Sequence, residues 1–171
     1  MKKIKQILHV LTFLLFISLL AILQITIINQ YPIGGVKVNL VLIGLLANIF
    51  NPRFGKVVLG AVVGGLIYDF GGIFNFISLI SFLVTIVILH LWSKKYLVKK
   101  NMLMIFFFGA IGTIFFNFFY VLLSYFLFHA NFFYYFLSLR HVVEILLNGG
   151  GAFIFALIGE GFTQISHLFK K

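Results

Sequence analysis

The chain of 171 residues contains no cysteine, one tryptophan, two prolines and only three acidic side chains. Without cysteine there is no disulfide and no thiolate metal site, and the compartment is left open. The acids are Asp69, Glu144 and Glu160, so a membrane aspartyl protease lacks its second aspartate and a CDP-alcohol transferase lacks its aspartate cluster. Gly-x-Ser-x-Gly is also missing, and no serine has an evident base. The histidines fall at segment boundaries, His9, His90 and His167 on one side and His129 and His141 on the other. None is paired as His-x-x-x-His, so they read as interfacial groups, and neither a metal nor another cofactor is expected. These absences argue against an enzyme.

What the chain does have is apolar sequence. It is 63% hydrophobic and 9% charged, with a mean hydropathy of +1.18, too little polar surface for a water-soluble domain of this length. The apolar runs are continuous rather than alternating, which predicts membrane helices and not barrel strands. They cover 7–28, 39–50, 57–70, 76–92, 102–128 and 141–162. The first is too long for a signal-peptide core and lacks an Ala-x-Ala-like site, so an uncleaved anchor is expected. The second and third would extend only about 18 and 21 Å, against a hydrocarbon core of about 30 Å. They must borrow flanking residues, lie inside the bundle or form a re-entrant pair.

Lysine and arginine orient the segments. With the N-terminus inside, Lys2, Lys3, Lys5, Arg53, Lys56, Lys94, Lys95, Lys99, Lys100, Lys170 and Lys171 are cytoplasmic, and only Lys37 and Arg140 lie outside. A re-entrant pair entering from the outer side would leave this parity unchanged. The expected fold is an all-α integral membrane protein, a compact bundle of about six transmembrane helices forming one polytopic domain over residues 1–171. Its second and third helices are short, and both termini are cytoplasmic. The net charge of +10 is then a topology signal and an affinity for anionic membrane lipid, with no nucleic acid implied. Trp92 and Tyr96 fall at the inner boundary, as an aromatic belt does.

The polar and small residues within these segments carry the candidate sites. Gly60 and Gly64 form a Gly-x-x-x-Gly pair and Gly65 lies on a neighbouring stripe, a pattern that lets a helix of this chain or of a partner approach closely. Asp69 ends that segment before Gly71-Gly72. It is either a solvated helix-end carboxylate or a carboxylate inside the bundle, accepting from groups such as Asn39 or Gln24. Glu144, four residues after Arg140, is expected to pair with it. Glu160 is expected to snorkel towards Lys170. Asn148-Gly149-Gly150-Gly151 interrupts the last segment as a kink, a close helix contact or a cavity wall.

Leu23-Gln24-Ile25-Thr26, then Val38-Asn39-Leu40, then Gly60-x-x-x-Gly64-Gly65-Leu66-Ile67-Tyr68-Asp69 together resemble the MreD family, the small polytopic subunits of the bacterial rod-shape (elongasome) machinery. Length and the basic loop from Lys94 to Lys100 agree, while Val38 stands where the family pattern has proline. The resemblance implies a non-catalytic protein of the bacterial cytoplasmic membrane that binds the single-span protein MreC. It would help couple MreB filaments to RodA and its transpeptidase in peptidoglycan synthesis. Gln24, Asn39, Gly60, Gly64, Gly65 and Asp69 would then serve partner binding or helix packing. The alternative is a vitamin-binding S-component of an energy-coupling-factor transporter, with Asn39, Asp69 and Asn148 lining a cavity near the outer face. A proton-coupled transporter using Asp69 and Glu160 would need a midplane relay between carboxylates placed near opposite ends.

Overall fold

The computed structural model describes residues 2–32, 35–51, 53–71, 76–96, 102–128 and 139–168, most of which are helical. In α1 (Lys2–Leu23), Phe13, Ile17, Leu20 and Ala21 recur every three to four residues on a buried stripe. Leu8, Leu11, Leu15, Leu19 and Ile22 occupy the exposed face, as expected of a helix between protein and lipid. The helix then widens into a π-helical turn, Gln24–Ile28, closed by the Asn29 N–H donating to the Gln24 carbonyl at 2.9 Å. Gln24 continues the buried stripe of α1, three and four residues after Ala21 and Leu20, and is 1% exposed.

The chain re-enters through an extended connector in which Val36, Val38 and Asn39 are buried while Gly35 and Lys37 are exposed. It leads into α2 (Leu40–Leu46), whose residues from Val41 to Leu46 are all buried. A helix apolar on every side has no face for water or lipid, and α2 packs against each of the other helices. After Leu46 the turn tightens, with Asn48 N–H donating to Leu45 O and Ile49 N–H to Leu46 O at 3.1 Å each.

Four helices join α1 around this axis: α3 (Phe54–Phe70), α4 (Ile77–Tyr96), α5 (Met102–Phe128) and α6 (Leu139–Leu168). Neighbours pack in the order α1, α3, α4, α5, α6, and the Phe16–Phe155 ring contact, 6.0 Å between centroids, bridges α6 back to α1. Directions follow from the contacts. Gln24 reaches Leu40 while Gly44 meets Leu20, and Asn117 reaches Glu144 while Gly109 meets Gly149, so α1–α2 and α5–α6 are antiparallel, whereas Gly60 meets Phe13 and Gly64 meets Ile17, so α1 and α3 are parallel. Phe54 stacks on His90 while Gly65 meets Leu79, and Phe82 stacks on Phe116 while Gly112 meets Leu89, which makes α3–α4 and α4–α5 antiparallel. The chain thus reverses at every connection. One end of the bundle carries Arg53 and Lys94, and the opposite end carries Asp69 and Glu144.

The protein is an all-α membrane bundle. Among the described residues, four helices are long and apolar enough to cross a bilayer: Gln6–Ile28, Ile77–Lys95, Leu103–Phe128 and Leu139–Gly159. The expected segment 39–50 is helical only over the seven residues of α2, while α3 runs for 17 residues from Phe54 and takes in Lys56. α6 continues unbroken through Asn148-Gly149-Gly150-Gly151, and of the three expected uses of these residues the close helix contact is the one seen. The reason is packing: a Cβ on Gly149 would lie 3.1 Å from the Phe106 carbonyl oxygen, and one on Gly151 would lie 2.6 Å from Ile43 Cδ1. Two of the three glycines therefore bring α5 and α2 close to α6.

Candidate functional site

An α-helix leaves its first N–H groups without intrahelical acceptors, and inside a bundle water cannot supply them. At the start of α2, side chains from three elements do. Asn39 caps its own helix, with Oδ1 accepting from Leu42 N–H at 3.0 Å. Gln24 Oε1 accepts from Leu40 N–H at 2.7 Å, and Asn148 Oδ1 accepts from Asn39 N–H at 2.9 Å. Gln24 Nε2 in turn donates to Asn29 Oδ1 at 2.9 Å, which fixes its amide. Asn148 lies nine residues into α6, about 14 Å along its axis, so this collar sits deep in the bundle. It ties α1, α2 and α6 together through backbone groups that must be satisfied.

Asp69 is buried, 3% exposed, but its partners differ from the expected Asn39 or Gln24. Its Oδ1 accepts from Ser78 N–H at 3.1 Å and its Oδ2 from Leu79 N–H at 3.0 Å. A carboxylate at the C-terminal end of α3 therefore caps the N-terminus of α4, where a negative charge also favours the helix dipole. The two helices approach most closely beside it. A Cβ on Gly65 would lie 2.6 Å from the Leu79 Cα, a contact with backbone.

Gly60 and Gly64 face the other way. Their missing side chains make room for Phe13 and Ile17 of α1 and for Leu45 and Val41 of α2. The glycine stripe is filled by helices of this chain, so that face is not open to a partner. Of the sequence-identified residues, Gln24 and Asn39 converge on the α2 collar, Gly60 and Gly64 line the α1–α2–α3 packing, and Asp69 and Gly65 join α3 to α4.

Sequence reasoning missed Asn148 as the third member of the collar, and Asn117 altogether. Both are amides inside apolar helices, which is the signal that marks them. Asn117 Nδ2 donates to Glu144 Oε2 at 3.1 Å, and His141 Nδ1 lies 3.3 Å from the same oxygen. Glu144 is therefore held by α5 and by its own helix and not by Arg140, whose guanidinium lies against Gly35. The Glu160 side chain lies outside the described residues. Among the described residues, no group of three or more histidines and carboxylates is arranged to hold a metal ion.

Chemically, the collar and the Asp69 cap join chain segments by hydrogen bonds to backbone N–H groups, the most expensive groups to leave bare in a membrane. Gln24 Oε1, Asn39 Oδ1, Asn148 Oδ1 and both oxygens of Asp69 are already engaged by the chain itself. Comparison of the chain with protein-family models, with curated proteins and with solved structures gives no match.

Proposed function

We propose that the protein is a non-enzymatic membrane subunit of a bacterial cell-shape complex, similar to MreD. In this reading it lies in the cytoplasmic membrane with both termini inside, and binds a single-span partner of the MreC type. Through that partner it helps couple MreB filaments to RodA and its transpeptidase. One observation carries the reading: the polar residues of the sequence pattern, Gln24, Asn39 and Asp69, are engaged by backbone amides within the bundle. A scaffold needs a rigid intramembrane shape more than a reactive group, and these contacts supply rigidity. The excess of basic residues at one end supports the orientation.

One observation favours a second reading, the vitamin-binding S-component. Asn117, His141 and Glu144 form a polar cluster at the non-basic end that caps no helix. A mild-detergent pull-down of the tagged protein from its native cells, with mass spectrometry of co-purifying proteins and small molecules, separates the two. Recovery of a single-span coiled-coil protein with cell-wall synthases supports the shape-determining role. Recovery of an ATPase-associated scaffold with a stoichiometric vitamin overturns it.

A further inference from the structure

At the basic end of the bundle, positive charge accumulates without a carboxylate among the described side chains. Lys56, the third residue of α3, is only 5% exposed, and its Nζ sits 4.7 Å from the centroid of the Phe13 ring. Arg53, at the N-cap position, is exposed and close enough for its charge to repel that of Lys56. No side chain caps α3; the Lys56 N–H donates to the Arg53 carbonyl at 3.1 Å, and the N–H groups of Phe54 and Gly55 add partial positive charge at the same place. Asn51 Oδ1 accepts from Arg53 N–H at 3.0 Å, which holds the arginine at the helix start. Across from it, His90 of α4 stacks on Phe54 with centroids 3.5 Å apart, its Nδ1 buried and without a partner, and Lys94 follows one turn later. Asp69 is committed to Ser78 and Leu79 and Glu144 to Asn117 and His141, all at the opposite end.

A lysine enclosed to this degree beside a second cation and an uncapped helix start has only the Phe13 ring as a partner, and an anion reaching its ammonium would relieve the repulsion. Helix lengths give that anion a place. Phe13 lies level with Gly60, about 9 Å into α3, so of the roughly 16 Å that α1 continues to Lys2 about 7 Å overhangs the start of α3; α4 runs about 9 Å beyond His90, which is level with Phe54, to Tyr96, and the start of α3 is recessed between them. The notch also has an apolar exit. A Cβ on Gly55 would meet nothing within 4 Å, and Leu59, on the same face one turn on, is 48% exposed.

We propose that this notch binds an anionic phospholipid, its headgroup phosphate held by the Lys56 and Arg53 side chains and the N–H groups of Phe54 and Gly55, and its acyl chain running over Gly55 and Leu59. The recessed depth and the apolar exit suit a lipid better than a free anion, and the excess of basic residues assigns it to the cytoplasmic leaflet. The inference stands on the charge geometry alone and is independent of the cell-shape reading.

The test is native mass spectrometry of the purified chain in detergent, titrated separately with phosphatidylglycerol, phosphatidylcholine and inorganic phosphate. One phosphatidylglycerol should bind preferentially, with affinity falling about fivefold for each of Arg53→Gln and Lys56→Gln and unchanged for Lys37→Gln at the other end. Arg53 is exposed, so Arg53→Gln keeps the test decisive even where Lys56→Gln fails to fold. Equal binding by wild type and Arg53→Gln overturns the proposal, as does equal retention of phosphatidylcholine. Saturation by inorganic phosphate at the same site would make it a soluble-anion site and overturn the lipid assignment.

Discussion

The two ends of the bundle treat polar groups in opposite ways. Towards the Asp69 end and in the collar below it, Gln24, Asn39, Asp69 and Asn148 each accept a backbone N–H that would otherwise be bare. At the other end Arg53 and Lys56 bring like charges together around an uncapped helix start. The first arrangement closes the fold from within, whereas the second, among the described side chains, has no carboxylate and is where the proposed lipid would bind. Substitutions in the former should therefore appear as lost stability, and substitutions in the latter as lost binding.

The largest effect that would sharpen this contrast is expected at Gly65. Gly65→Leu drives a side chain into the Leu79 backbone, which cannot move aside without separating α3 from α4. It should cost about 3 kcal/mol or prevent folding, read as loss of a monodisperse peak in detergent chromatography. Gly64→Leu meets the side chains of Val41 and Ile17, which can partly repack, and should cost about 1 to 3 kcal/mol in thermal unfolding. Equal tolerance at both positions would break the distinction between backbone and side-chain contact.

Asn148→Leu removes the acceptor for Asn39 N–H and should destabilise by about 1 to 3 kcal/mol in the same assay. Asp69→Asn keeps the shape and one acceptor oxygen but loses the charge and a bond to either Ser78 or Leu79 N–H, for about 1 kcal/mol. A proton-relay role would instead abolish activity with stability intact. Smallest is Gly150→Ala. The position is open, so the change should stabilise by up to about 1 kcal/mol through helix propensity, while Gly149→Ala on the next face destabilises.

Much of this architecture was legible because continuous apolar runs in a bilayer leave the backbone one option. α1, α4 and α5 fall where hydropathy puts them, while the role of Asn39 as the N-cap of α2 came only from the structure. The enclosure of α2 was one of three possibilities. Composition cannot separate a buried core helix from a short span, because both are apolar on all sides. Asp69 stood out as the only aspartate, yet its partners are backbone amides of Ser78 and Leu79, set by how α3 and α4 meet and not by residue type. For the same reason Gly64 and Gly65, adjacent in sequence, serve different neighbours. The glycine triplet of α6 misleads through propensity, since close contacts with α5 and α2 offset what glycine costs the helix.

The central claim is that α2 is an internal helix whose start is held by side chains of α1 and α6. Amide hydrogen exchange over Asn39 to Leu42, compared between wild type and Asn148→Leu in the same detergent, tests it most directly. The account predicts strong protection in the wild type, and exchange accelerated about tenfold or more in the variant while α5 amides stay protected. Rapid exchange of these amides in the wild type, or identical rates in the two proteins, would contradict it.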